Sequence, residues 1–475
     1  MKKFTFLICS IFCLGVGTTN AQYTDLLNFN GTNSPQGINP AGALTPSSNG
    51  AFLYGMTTLG GANNLGCVFS MDTNGGHYKD ILDFNGTNGS EPQGGSIMVS
   101  GYKLYGMTQQ GGADGYGCIY SVDTNGSGYK DLLDFVSSNG ASPAGGVILL
   151  GNKLYGVTER GGANDYGCIF SIDTNGNGYE DLKDFSNSGS GGELPWASLT
   201  SSLSGKVLYG VAELGGLYGD GCIFSIDTNG SNYTVIYNFD GTTGASPEGE
   251  LLLLKNRLYG VTYAGGANGV GIMYSIDTNG NNYKDLIDFN GTNGNHPEDP
   301  IVFSRGLLYD VTRTGAANGN GCIFSIDTNG VTGDSILFNF GSASGSQPYS
   351  GLTLSKNVIY GMTYQGGTNS DGVVFSFKDT AINTTGINTI NKTVGSITVY
   401  PNPSNGIFRI QTSALSDQSS VEVYNMLGEK VYSQLSIVNY PLSIDLSSNP
   451  NGVYLYRVLA NSGELIGEGK LIIQK

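Results

Sequence analysis

Residues 154–176 read LYGVTERGGANDYGCIFSIDTNG, and several groups in that stretch are of types that do chemistry. Cys168 offers a thiol among acidic and aromatic neighbours. Gly161 and Gly162 open a glycine-rich loop, the raw material of a phosphate cradle. The D-x-N-G run at Asp173 has the opening spacing of a calcium loop. Glu159 supplies a carboxylate, with Glu213 further along the chain. Two carboxylates brought near one axis are the equipment of a glycosidase.

These groups are repeated, and the repetition decides most of the readings. LYG occurs at Leu53, Leu104, Leu154, Leu208 and Leu258, as LYD at Leu308 and as IYG at Ile359. The spacing of about 50 residues is the length of a four-stranded propeller blade. S-x-D-T-N-G recurs from Ser70, Ser121, Ser171, Ser225, Ser275 and Ser325, with a degenerate copy, SFKDT, at Ser376. Where the third copy has Cys168, the fifth has Ile272 and the seventh Val373. A position that exchanges Cys for Ile and Val is an apolar packing site. The glycine loop joins two strands, opens no helix and lacks the Lys-Ser/Thr of a nucleotide loop. D-x-N-G lacks the later acidic ligands of a calcium loop, so it reads as a hairpin turn in which Asn-Gly supplies positive φ.

Four short strands account for one repeat. In the third copy they are GGVILLG (145–151), KLYGVT (153–158), CIFSI (168–172) and YEDLKDF (179–185). The first is a nearly continuous apolar run, as for a strand covered on both faces, and the last alternates like an outer strand. Gly156 permits close packing, and Asp310 replaces it in the sixth copy. The segment YTDLLNF (23–29) matches the fourth strand of the repeat, whereas the last copy stops at VVFSF (373–377). The expectation is an all-β chain: a seven-bladed β-propeller over residues 22–380, closed by the N-terminal strand, which protects strand edges.

Lys2 and Lys3 followed by FTFLICSIFCLGVG and the small residues TTNA read as an export signal over residues 1–21. Its removal leaves five of the seven cysteines, an odd number for a disulfide framework in an exported protein. The formal net charge of −16 without a basic block argues against nucleic acid as a partner. No later run resembles a membrane span. The two histidines, His77 and His296, occupy unrelated repeat positions, so neither a metal cluster nor a His-based triad is expected, and no cofactor.

The pattern LYG-x-T-x-x-GG-A-N-x-x-G-x-[IV]-F, running through residues 40–378, resembles the GloVer-type extracellular tandem repeat of bacteria. That resemblance implies an exported repeat protein and no particular activity. SIDTNG also resembles the Asp-box turn of sialidase propellers, without its Thr-Trp ending. After a polar linker at 381–395 the texture changes. YPNPSNG, VYNMLGEKV and NGVYLYRV, in that order within 396–475, resemble the type A sorting domain of the bacterial type IX secretion system. Alternating apolar segments there fit an Ig-like β-sandwich of about seven strands. The resemblance implies an address read by the secretion machinery and places the protein in the medium or on the cell surface.

The long loops between strands two and three and between successive repeats share one end of the propeller, where ligands of rigid scaffolds usually bind. Tyr116, Glu159, Arg160, Tyr166, Glu213 and Tyr218 are the candidate contacts, the tyrosines by stacking on sugars or anchoring a protein. Three functions follow: a binding module for glycan or protein, a carbohydrate-active enzyme with carboxylates near the axis, or a structural or adhesive surface protein.

Overall fold

The computed structural model describes residues 22–31, 36–93, 95–187, 191–331, 335–379, 398–411, 419–425, 430–434, 442–460 and 465–475. The export signal and the linker read from the sequence lie outside the described residues. The chain divides into two compact units, Met1–Asn383 and Thr384–Lys475. Both are β-structure; the one helical turn among the described residues is a 3-10 turn at Ser137–Asn139.

Each repeat of the first unit folds as an antiparallel sheet. In the third copy the strands are Ile148–Leu150, Lys153–Thr158, Cys168–Asp173 and Glu180–Asp184, paired in chain order. The middle two strands are buried over most of their length, which explains why they are apolar without alternation. Gly156 pairs with Phe170, and a Cβ at that glycine would meet the ring at 2.7 Å, so the close approach requires glycine there. In the sixth copy Asp310 takes this place opposite Phe324. The fourth copy is irregular: its inner strand is split into Glu193–Pro195 and Thr200–Ser201, both against Val207–Leu214.

The final copy supplies Leu352–Ser355, Val358–Thr363 and Val373–Lys378, and Gln22–Asn28 pairs antiparallel with the last of these. The N-terminal strand also reproduces the hydrogen bonds of a fourth strand. In the third copy Asp184 Oδ1 accepts from Ala163 N (2.6 Å) and Asn164 Nδ2 donates to Phe185 O (2.9 Å). In the last copy Asn28 Oδ1 accepts from Thr368 N and Asn369 Nδ2 donates to Phe29 O, both at 2.8 Å. These bonds occupy loop amides that a phosphate cradle would have to leave free.

Three contacts recur between successive sheets. The phenylalanine that follows each fourth strand packs edge-on to a ring of the next copy: Phe84 on Tyr120, Phe185 on Phe224, Phe340 on Phe375, and Phe29 on Phe69. Centroid distances in these pairs are 5.3, 5.5, 5.3 and 5.5 Å, and each adds about 0.5–1.5 kcal/mol beyond burial. The second contact is a residue of positive φ before a proline. Ser142 (φ 50°) donates its N–H to Tyr116 O, and Pro143 lies against Gly117 of the preceding copy. Leu194, Ser246 and His296 do the same toward Tyr166, Asp220 and Val270, and Asn39 toward Asp371.

The third contact corrects the reading of D-T-N-G as a hairpin turn in which the Asn-Gly pair supplies positive φ. Only the glycine has positive φ (Gly176, 85°), and its N–H donates to Asp173 O at 2.8 Å. The Asn175 side chain instead accepts from Asn177 N. Residues 174–179 separate the two strands, which gives the chain room for an ordinary turn. Gly176 sits so close to the preceding sheet that a Cβ would meet Leu132 O at 2.8 Å.

In the second unit Thr398–Tyr400, Ile407–Gln411 and Leu442–Asp445 form one sheet. Lys430–Gln434, Ser419–Tyr424, Gly452–Ala460 and Leu465–Ile473 form another. Phe408, Ile410 and Ile444 of the first sheet share one core with Val421, Val423 and Val458 of the second.

Candidate functional site

The cysteines Cys67, Cys118, Cys168 and Cys222 are free thiols, and all four are buried, as is Cys322. Burial pushes the Cys168 thiol up to about 12, and its sulfur lies 3.3 Å from the Thr158 hydroxyl. A thiol held protonated in this way is no nucleophile at neutral pH. Among the described residues no group of three His, Cys, Asp or Glu side chains is arranged to hold a metal ion.

The sequence-nominated residues separate into two sets. Tyr116, Tyr166 and Tyr218 stand on loops of three different sheets. Tyr116 and Tyr218 are exposed, whereas Tyr166 is half-buried and its hydroxyl accepts from Asn187 Nδ2 at 2.7 Å. By its backbone bond, the fourth-copy equivalent of Tyr116 and Tyr166 is Asp220, two residues beyond Tyr218. The second set is electrostatically connected. Arg160 Nε donates to Glu159 Oε1 at 3.2 Å. Burial raises the Glu159 carboxyl, and Arg160 opposes the shift. Burial likewise raises Glu213, with the Glu159 charge adding to it.

Glu159 and Glu213 each follow the last residue of a paired second-strand ladder, Thr158 and Ala212. At the same place the later copies carry Tyr263, Arg313 and Tyr364. Sequence reasoning missed what these residues stand beside. Glu248, Glu298 and Tyr349 each follow the proline of the inter-sheet contact, and with Trp196, Glu250 and Asp299 they line a cavity of about 30 Å³. The signal was available: the residue after the recurrent proline is Ala41, Gln93, Ala144, Trp196, Glu248, Glu298 and Tyr349 in turn. The acidic members of that series are adjacent.

Burial drives the titration of this cluster. The Glu248 and Glu298 carboxyls share a hydrogen bond and both are raised, first by desolvation and then by neighbouring carboxylates. Glu213 is among the charges acting on Glu248, which links the cluster to the nominated residues. Asp299 and Glu250 are each pushed up to about 7 by burial. Arg313 is the counter-charge: its Nη1 lies 3.3 Å from Glu298 Oε1, at a geometry that makes no hydrogen bond. Its guanidinium also sits over the Tyr349 ring, 5.0 Å from the centroid, and Tyr364 packs edge-on to Tyr349 at 5.8 Å. Tyr263 stacks on His296 at 4.3 Å. Asp310 is fully buried, with Oδ1 accepting from Val311 N and Oδ2 unpartnered; burial and then the Asp299 charge raise its carboxyl well above the usual carboxylate range.

Comparison with known proteins gives two family matches. The Gloeobacter/Verrucomicrobia repeat matches residues 10–216 and 204–407, and a secretion system C-terminal sorting domain matches residues 398–474. The sorting domain implies engagement with the type IX secretion machinery and export to the cell surface. No helix among the described residues is long and apolar enough to cross a membrane. Among curated proteins none matches the chain.

Solved structures resembling the chain include an oligogalacturonate lyase from Vibrio parahaemolyticus (9% identity, 76% of this chain and 97% of that one, TM-score 0.49). A puromycin-hydrolyzing peptidase from Mycobacterium tuberculosis aligns at 11% identity over 78% of this chain and 58% of its own (TM-score 0.49). A putative 6-phosphogluconolactonase from Bacteroides uniformis aligns at 14% over 61% and 82% (TM-score 0.39). Likenesses this distant carry nothing about chemistry.

Proposed function

We propose that this chain, which belongs to the Gloeobacter/Verrucomicrobia repeat family, is an exported seven-bladed β-propeller that binds glycan at one mouth of its axial channel. The ring spans residues 22–380, preceded by a cleaved export signal at 1–21 and followed by a linker and an Ig-like sorting domain at 396–475. Its closure by the N-terminal strand is supported by two contacts of the repeating kind that join the first and last copies. These are Phe29 on Phe69 and Asn39 N to Asp371 O.

One observation carries the binding function. The half-buried Glu213 acts on the half-buried Glu248, which shares a cavity lining with Tyr349, and Tyr349 packs against Arg313 and Tyr364. Carboxylates and a guanidinium take the paired hydroxyls of a sugar, and ring faces take its apolar side. Tyr116, Tyr166 and Tyr218 would extend the contact outward along the loops. A glycan array followed by calorimetry on any hit tests the reading. Tyr349→Ala and Glu213→Gln are expected to weaken binding by about tenfold or more, the size of one charge-assisted hydrogen bond or stacked ring. Substituting Tyr116, Tyr166 and Tyr218 together with Ala should weaken it as well. The absence of any glycan hit, or affinities unmoved by these changes, refutes it in favour of a protein ligand or a purely adhesive role.

The hydrogen-bonded Glu248–Glu298 pair supports a second reading, a carbohydrate-active enzyme. A pair with both carboxyls raised holds one proton near neutrality and so presents an acid and a base together. Hydrolysis or lyase products from a polysaccharide panel, abolished by Glu248→Gln with binding retained, would distinguish catalysis from binding.

A further inference from the structure

A second cavity, of about 370 Å³, is walled by Ile97, Met98, Val99, Val147 and Ile148, with Glu250 among its lining. Its volume falls in the range of small-molecule sites, which are mostly apolar with a few placed polar groups. It shares Ser96, Ser198 and Glu250 with the smaller acidic cavity, so the two adjoin through these residues. Gly101 and Ser48, beside the tight turns between first and second strands, put its opening at the opposite end from the long loops.

Among the described residues of this lining Glu250 is the one ionisable group. Ser198 steadies it by a hydrogen bond, and the Ser198 hydroxyl itself accepts from Gly146 N at 2.9 Å. Its carboxyl is raised to about 7 by burial, which measures how poorly its charge is compensated. Beyond it the smaller cavity adds Glu248, Glu298 and Asp299, and the buried Glu298 Oε1 has no hydrogen-bond partner. The field along this path is negative, and Arg313 pairs with the far side of the cluster, at Glu298.

We propose that this cavity binds a primary ammonium group carried on a short aliphatic body, the ammonium at Glu250 and the body against Ile97, Val99 and Ile148. The charge requirement is set by Glu250, and the apolar walls favour an alkyl chain over a hydrated inorganic cation. The site opens at the opposite end from the proposed glycan mouth, and ammonium binding stands or falls independently of glycan binding.

The test is calorimetric titration of the full chain with n-hexylamine and with 1-hexanol at pH 8 and fixed ionic strength. Saturable binding of one hexylamine per chain is expected, with hexanol weaker by about tenfold or more, the usual worth of a charged hydrogen bond. Glu250→Gln should lose binding to the same degree. Ser48→Trp, an exposed rim change that leaves the core untouched, should obstruct the opening and weaken binding even if Glu250→Gln fails to fold. No saturable heat with hexylamine overturns the proposal. So does equal affinity for hexanol, or binding unmoved in a folded Glu250→Gln or Ser48→Trp chain.

Discussion

Ring closure through Phe29 makes a quantitative demand on stability. Phe29 is fully buried, packs edge-on to Phe69 at 5.5 Å and to Tyr78 at 6.3 Å, and belongs to the core cluster that holds Leu53, Met71 and Val374. Phe185, in the middle of the chain, is also fully buried and packs on Phe224 at 5.5 Å and Tyr233 at 6.0 Å. Truncating a buried phenylalanine to alanine costs about 3–5 kcal/mol. At about 2 °C per kcal/mol for a large domain, that is a drop of about 6–10 °C in melting temperature. If the N-terminal strand closes the ring as a structural equal of the others, Phe29→Ala and Phe185→Ala should fall by similar amounts. Scanning calorimetry of both variants beside the parent measures this. A loss below about 1 kcal/mol for Phe29→Ala, with the full loss for Phe185→Ala, would mean that the first strand frays independently. That result would refute closure.

Three more outcomes follow from particular side chains. Asp310→Gly restores the residue of the other copies and removes a buried carboxyl whose folded pKa is raised by burial. The wild-type penalty is absent below the unfolded value of about 4 and grows as pH rises toward the folded value. Urea melts should therefore show the variant gaining on the parent from pH 4 to pH 8; a constant difference would refute the burial argument. Cys168→Val should change stability by about 1 kcal/mol or less, because Ile272 and Val373 fill the same place. Thiol titration should find all five mature cysteines only after denaturation. In the second unit Glu422 is lowered to about 2, by Lys430 first, then Tyr424 and Arg457. Its contribution is present above about 4.5 and lost as pH falls through about 2. An NMR titration should place its midpoint there, and Lys430→Met should move it upward.

The antiparallel four-stranded repeat was legible because its pattern recurs with few changes. LYG, S-x-D-T-N-G and the closing phenylalanine mark second strand, turn and fourth strand in nearly every copy. The sorting domain was legible for a different reason: three motifs stand in order at the end of the chain. The turn conformation at D-T-N-G was not, since a dipeptide preference cannot see the six residues that relax the connection. Neither was the site. Glu159 and Glu213 stand out in the sequence, but Glu248, on which Glu213 acts, and its neighbours Glu298 and Arg313 lie far along the chain on other copies.

By itself, then, the sequence determined the local elements, their repetition and the export address, all of which depend on near neighbours and period. Only the tertiary structure decided which variable residues meet. Stacking the copies side by side brings equivalent positions together, so four of the residues that follow the recurrent proline, Trp196, Glu248, Glu298 and Tyr349, each unremarkable within its own repeat, line one cavity. There desolvation, which no linear spacing expresses, raises the Glu248 and Glu298 carboxyls together.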